Sequence, residues 1–96
     1  MIKQKFDWDN FINNPDKIAI HCKTEAEADK FCYLMHEHGL KWRSGASYLS
    51  NTYYYEYEER IYYTNKGSRG KIDFANENNI PILSFSLFDF DEERTE

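Results

Sequence analysis

The stretch Ile18-Ala-Ile-His-Cys-Lys-Thr-Glu-Ala-Glu27 decides the fold of this chain. Its first five residues alternate between apolar and polar side chains, which is typical of a strand with one buried face. Thr24-Glu-Ala-Glu27 then has the Ser/Thr-x-x-Glu form of a capping box, in which a hydroxyl and a carboxylate satisfy free backbone donors at a helix start. The stretch therefore predicts a strand that runs directly into a capped helix.

The predicted helix continues to Gly39. Apolar residues recur along it at helical spacing, namely Ala28, Phe31, Cys32, Leu34 and Met35. Gly39 follows them as a C-terminal residue able to adopt positive φ, and His38 in the last turn suits the helix dipole. We expect one long helix with a continuous apolar stripe.

Further strands are predicted on the C-terminal side of this helix. They are residues 60–64, 70–74 and 82–88. Asn65-Lys-Gly67 is a turn signal between the first two, and the uneven apolar spacing before residue 13 predicts one helical turn over the core. The expected fold is α+β, with one small, mostly antiparallel sheet of about four strands and the long helix packed on a face, in the order (α)-β-α-β-β-β.

The length and charge of the chain favour one domain with a tail. With 96 residues, the chain is too short for two separate cores. We assign residues 1–88 to a single α+β domain and residues 89–96 to an acidic, mobile tail. The tail has five acidic residues and one arginine, so most of the net charge of −5 resides there. Residues 39–71 have the opposite sign, with six basic and three acidic side chains.

The composition favours a cytosolic protein. No apolar run approaches the roughly 18 residues needed to span a bilayer, and the first residues lack the apolar core of a signal peptide. The two cysteines are too few for a disulfide scaffold and are expected to be reduced. We therefore expect a cytoplasmic location and no membrane partner.

A longer pattern resembles a group of small phage proteins. It reads Ile20-x-Cys22-x-Thr24-x-x-Glu27-Ala28-x-x-Phe31, then Gly39-x-x-Trp42-x-Ser44-Gly45, a Tyr-rich segment and a final Ile/Leu/Phe strand. The chain is thereby similar to accessory proteins of temperate phages and prophages of low-GC Gram-positive bacteria, over about residues 18–88. Such accessory proteins often counter host immunity, so the resemblance implies a counter-defence role in the host cytosol. The acidic tail and the triple tyrosine lie outside the pattern.

The cysteines and histidines suggest two kinds of chemistry. Cys32 and His36 share a helix face, as zinc ligands can, but Cys22 precedes the helix and lies about 12 Å away along its axis. We therefore expect no bound metal. Cys22, beside the helix N-terminus, is the better candidate nucleophile, although an alternating strand more often turns such a residue inward. Neither a P-loop nor a dinucleotide fingerprint is present, so we expect no cofactor and no catalytic residues.

The middle of the chain combines basic glycine and serine loops with aromatic residues. Trp42-Arg-Ser-Gly45 and Lys66-Gly-Ser-Arg-Gly-Lys71 can each hold a phosphate through backbone N–H groups and cationic side chains, with aromatic rings stacking a base beside it. The candidate ligand-binding residues are Trp42, Arg43, Ser44, Tyr53, Tyr55, Tyr57, Arg60, Tyr63, Arg69 and Lys71. The alternative interpretation is that both loops are solvated turns and that the tyrosines pack the outer face of a small sheet.

Three functions remain open at this point. The first is a non-enzymatic phage counter-defence protein that sequesters a nucleotide-derived, phosphate-containing immune signal. The second is an inhibitor of the anti-CRISPR type that binds a host defence protein through the tyrosine cluster or the acidic face. The third is a small cysteine-dependent enzyme. Glutamates within the basic region argue against a duplex nucleic-acid partner, and an exposed aromatic sheet face would favour homo-oligomers.

Overall fold

A central sheet of four strands organises the chain. The computed structural model describes residues 4–90. Within them the strands are β1 (Gln4–Lys5), β2 (Ala19–His21), β3 (Ile61–Thr64), β4 (Arg69–Lys71), β5 (Ile82–Ser84) and β6 (Phe88–Asp89). The α-helices are α1 (Trp8–Asn13), α2 (Glu25–Glu37), α3 (Tyr54–Tyr57) and α4 (Ile72–Glu77). Short 3₁₀ helices cover Glu58–Arg60 and Phe85–Leu87.

The strand order in the sheet is β4-β3-β2-β5. β3 pairs antiparallel with both β2 and β4, whereas β5 pairs parallel with β2. β1 and β6 form a separate parallel pair. The predicted α+β class and the size of the sheet are confirmed, but the sheet is mixed because the chain crosses over through α4 before it returns beside β2.

The predicted helix is present as α2, but it has only 13 residues and is one of four α-helices in residues 4–90, so the helical part of the fold is not a single long helix. The start of α2 follows the capping prediction, since the Thr24 hydroxyl accepts a hydrogen bond from the Glu27 N–H at 3.1 Å. The Glu27 carboxylate accepts instead from the Lys23 N–H at 2.9 Å, one residue before the expected donor. Gly39 has a φ of +84°, as predicted for the end of this helix.

The sheet separates two apolar clusters. Alternate residues of a strand point to opposite faces, so Tyr63 and Ile20 contact the side covered by α1 and α2, whereas Tyr62 and Ala19 contact the side covered by α4. The first cluster is large and aromatic and includes Phe31. The predicted helical turn near the N-terminus is α1, which contributes to this cluster and begins where the Asp7 carboxylate accepts from the Asn10 N–H at 3.0 Å.

Two predicted strands are shorter than expected. Residues 70–74 do not form one strand, because β3 begins at Ile61 and offers no pairing position beyond Lys71. The chain therefore turns into α4, which buries Ala75 against the second face of the sheet. Similarly, β5 can pair only with the three residues of β2, and Phe85 then turns inward and stacks on Phe90.

The first two residues of the predicted tail, Asp89 and Phe90, belong to the folded domain. Asp89 is part of β6 and pairs with Lys5 of β1, and Phe90 is buried among the aromatic side chains of the large cluster. The remaining tail residues, 91–96, lie outside the described residues.

Candidate functional site

The two basic loops lie against each other. The Arg43 N–H donates to the Gly67 carbonyl at 3.0 Å, and the Gly45 N–H closes a tight turn onto the Trp42 carbonyl at 2.7 Å. The loops therefore meet, as the phosphate-loop hypothesis requires, but these two N–H groups are used in holding the loops and are not available to an anion.

Trp42 and Tyr63 are structural anchors beneath the site. Tyr63 is fully buried and Trp42 is 5% exposed. The Trp42 indole N–H donates to the Asn51 carbonyl at 3.1 Å, and the Tyr63 hydroxyl donates to the Thr52 carbonyl at 2.6 Å. Both side chains, although predicted to touch a ligand, instead fix the course of the segment that leads to α3.

Arg69 links this aromatic layer to α3. Its guanidinium carbon lies 3.5 Å from the centroid of the half-buried Tyr53 ring, within the range of a cation–π contact. Two of its N–H groups also donate to the Glu56 carboxylate, at 2.9 and 3.2 Å. Burial alone would lower the pKa of Arg69, but the hydrogen bonds and negative charge of Glu56 raise it. Arg69 is therefore a permanent cation with a fixed position.

An open groove runs along β4, an edge strand of the four-stranded sheet. It encloses about 300 Å³ and is lined by Tyr57, Tyr62, Arg69, Gly70, Lys71 and Phe74. Tyr57 belongs to α3 and Phe74 to α4, so each of the two short helices supplies one aromatic ring to the groove. Phe74 is 53% exposed, which is unusual for a phenylalanine and leaves its ring available for contact.

Tyr62 and Gly70 form the floor of this groove. They are directly paired across β3 and β4. A Cβ atom on residue 70 would lie 2.6 Å from the Tyr62 hydroxyl oxygen, so the tyrosine ring lies across the space that glycine leaves. Burial, with a smaller contribution from the Tyr57 phenol, raises the pKa of Tyr62. The Tyr62 hydroxyl therefore stays protonated at neutral pH and remains a hydrogen-bond donor.

The charges beside the groove are partly paired. Asp73, at the start of α4, accepts a hydrogen bond from Arg60 at 2.9 Å and lies 3.9 Å from the Lys71 ammonium. Together with Glu56 and Arg69, this makes three cations and two carboxylates. These five side chains therefore carry a net charge of +1.

The other predicted residues lie away from the groove lining. Tyr55 is 67% exposed at the tip of α3, where its ring centroid is 6.2 Å from that of Tyr53. Arg43 and Ser44 are exposed in the turn that contacts Gly67. Of the ten predicted residues, Tyr57, Arg69 and Lys71 line the groove, and Arg60 reaches the ion pairs beside it.

Sequence reasoning missed Phe74, Glu56 and Asp73. The sequence predicts a strand over residues 70–74, and in a strand the outward position that Phe74 has on α4 does not arise. Asp73 directly follows Lys71 and Ile72, so a helix start at this place would have suggested an acidic residue in the first turn.

No protein-family model matches the chain, and no match was found among curated proteins or solved structures.

The cysteines are not accessible. Cys22 is fully buried and Cys32 is 1% exposed. Burial raises the pKa of Cys22 well above its ordinary value, and burial also raises the pKa of Cys32, to about 12. The hypothesis of a Cys22-dependent enzyme therefore lacks the exposed, low-pKa thiolate that it needs.

Two further types of site were sought in residues 4–90. No three His, Cys, Asp or Glu side chains there come together in a way that would hold a metal ion. No helix in the same range is both long and apolar enough to cross a membrane.

Proposed function

We propose that this protein is a non-enzymatic binder of a small, phosphate-containing aromatic ligand of the nucleotide class, held in the β4 groove. The observation that carries the proposal is the combination of the aromatic walls Tyr57 and Phe74 with the cations Arg69 and Lys71 around one groove. Aromatic rings stack bases of any identity, and arginine and lysine bind phosphate.

The size and shape of the groove support this proposal. A volume of about 300 Å³ lies at the lower end of the range for small-molecule sites. The floor is rigid because Tyr62 is 3% exposed and lies across a strand glycine. Lys71 lines the same groove as Tyr57 and Phe74 and is therefore the candidate partner for the phosphate of a base stacked there.

The biological role that agrees with such a site is sequestration. A binder without a nucleophile or metal can lower the free concentration of a signal simply by mass action. With the resemblance to phage accessory proteins, this makes removal of a nucleotide-derived immune signal in the host cytosol the leading role.

The direct test is retention of a small molecule. The purified protein is dialysed against a deproteinised extract of cells with an activated immune response, and bound compounds are identified by mass spectrometry. We expect a phosphate-containing compound to be retained at about one per chain. Retention of no such compound would exclude the proposed function.

Matched variants then locate the site. Phe74→Ala should weaken binding by about fivefold or more, since stacking on one aromatic ring contributes about 1–3 kcal/mol. Tyr33→Ala is the control, because Tyr33 on α2 is 51% exposed, close to the 53% of Phe74. Lys71→Gln should also weaken binding, whereas Lys41→Gln should not. Equal effects of Phe74→Ala and Tyr33→Ala would place the ligand elsewhere.

A second function is favoured by a different surface. Tyr55 is 67% exposed and is followed by Glu56, Glu58 and Glu59 on α3 and the adjoining 3₁₀ helix. A protruding tyrosine with acidic neighbours suits an interface anchor for a basic surface of an immune effector. If the protein acts in this way, Tyr55→Ala abolishes inhibition of the effector while Phe74→Ala leaves it intact, and added nucleotide does not displace the effector.

A further inference from the structure

The number of charges beside the groove restricts the ligand further than the proposed function does. In residues 4–90, three ion pairs beside the groove join the cations Arg60, Arg69 and Lys71 to the carboxylates Glu56 and Asp73. These five side chains carry an excess of one positive charge. A ligand with one negative charge neutralises that excess, whereas each additional negative charge meets no unmatched cation among the five.

The geometry of the pairs keeps this balance fixed. Arg69 has five N–H donors in all, and two of them are directed at Glu56, so three remain for a ligand. Its side chain is only 29% exposed and lies on the Tyr53 ring, so it cannot turn away from Glu56 without losing that contact. A ligand that binds Arg69 consequently lies beside the Glu56 carboxylate, which repels negative charge on the ligand.

Resting on the proposed function, we infer that the groove selects a phosphodiester, which carries a single delocalised negative charge, over phosphomonoesters and polyphosphates. A phosphomonoester carries between about 1.5 and 2 negative charges at neutral pH, and a triphosphate carries more. The exposed ring of Phe74 and the protonated hydroxyl of Tyr62 supply stacking and one hydrogen-bond donor to the uncharged part of the ligand.

The experiment compares four probes that share one base. Binding of adenosine 3′,5′-cyclic monophosphate, AMP, ATP and adenosine is measured by titration calorimetry in one buffer, and the guanine counterparts are run in parallel. We expect the cyclic diester to bind most tightly, with AMP weaker by about fivefold for its unmatched charge and ATP weaker still. Adenosine should be weaker than the cyclic diester because it carries no phosphate.

The outcomes separate the inference from the proposed function. Tighter binding of AMP or ATP than of the cyclic diester would overturn the selectivity while leaving nucleotide binding intact. Absence of binding by all the probes of both bases would overturn both. Binding of adenosine as tightly as the cyclic diester would show that the charges take no part, and this also overturns the inference.

A charge variant tests the stated cause. Asp73→Asn removes one negative charge beside the groove, which raises the net charge there by one unit. It should improve the affinity for AMP relative to the cyclic diester by about fivefold. Glu37→Gln, near the end of α2, changes the net charge equally and is the control. Glu56→Gln is a second variant that should act in the same direction if Asp73→Asn lowers stability. An unchanged affinity ratio in a folded variant would overturn the inference.

Discussion

The guanidinium carbon of Arg69 lies 3.5 Å from the centroid of the Tyr53 ring, while its N–H groups hold the Glu56 carboxylate. A second ring, that of Trp42, lies 5.4 Å from the same carbon. Arg69 is thus part of an aromatic layer between β4 and α3 as well as a lining residue of the groove. The charge of Arg69 therefore stabilises the fold in the absence of a ligand, through Tyr53 and Glu56.

Replacement of Arg69 by lysine should lower stability although the charge is kept. Lysine lacks the planar fork that binds Glu56 at two points and stacks on Tyr53. We expect Arg69→Lys to reduce the free energy of unfolding by about 1 kcal/mol, as urea denaturation would measure. Arg43→Lys, in an exposed turn, is the control and should change it little. Equal losses in the two variants would contradict the role assigned to the stacked guanidinium.

Asn65 holds the loop between α1 and β2. Its amide nitrogen donates to the carbonyls of Phe11 and Asp16 at 2.9 and 3.0 Å, and its amide oxygen accepts from the Ile18 N–H at 3.0 Å. Asn65→Ala should cost about 3 kcal/mol of unfolding free energy because it leaves these backbone groups without their partner. Asn76→Ala, at an exposed position, is the control. If the two substitutions lowered the unfolding temperature equally, the hydrogen bonds of the Asn65 side chain would make no particular contribution to stability.

Gly67 and Gly45 should respond differently to the same substitution. Both have positive φ, of +78° and +94° respectively. A Cβ on residue 67 would lie 2.7 Å from the Arg43 backbone nitrogen, whereas one on residue 45 has nothing within 4 Å. We expect Gly45→Ala to cost about 1 kcal/mol for its backbone conformation, and Gly67→Ala to cost several-fold more or to prevent folding. Similar denaturation midpoints would mean that the two loops are not in contact.

The buried cysteines predict an alkaline loss of stability. Burial raises the pKa of Cys32 from 9.0 to about 12 and raises that of Cys22 in the same direction. Above about pH 9 the unfolded chain releases thiol protons that the native protein keeps, so stability should fall as the pH rises from 9 towards 12. The urea midpoint should therefore decrease over this interval, and less steeply in the Cys22→Ala/Cys32→Ala variant.

A labelling experiment provides the control for this prediction. A water-soluble disulfide reagent at pH 8 should not react with the native protein, whereas it should modify both cysteines in urea. Rapid modification of the native protein would contradict the burial of the thiols.

Much of the fold could be predicted because its signals are local. The alternation before Thr24, the hydroxyl of Thr24 and the positive φ of Gly39 each concern residues within a few positions of one another. Backbone hydrogen bonds in the first turn of a helix and the burial of one strand face depend on such neighbours alone. The start of α2, its end and the strand before it followed directly.

The candidate site could be predicted only in part because its contacts join distant parts of the chain. The sequence indicated Tyr57, Arg69 and Lys71 as site residues, but it did not show that Arg69 would be held by Glu56, 13 residues earlier. It also placed Trp42 and Tyr63 in the site, since an aromatic ring has the same chemistry whether it is buried or exposed. Burial is set by which face of the sheet a residue occupies, and that depends on strand register.

By itself, then, the sequence determined a strand joined to a capped helix, a small α+β class and a basic, aromatic middle region. Only the tertiary structure decided that β4 is an edge strand, that Tyr62 lies across Gly70 and that Phe74 faces outward on a helix. The physical reason is that hydrogen-bond caps and periodicity act over one or two turns of chain. A groove, by contrast, is formed by side chains from four separate elements, whose positions are fixed only when both faces of the sheet are packed.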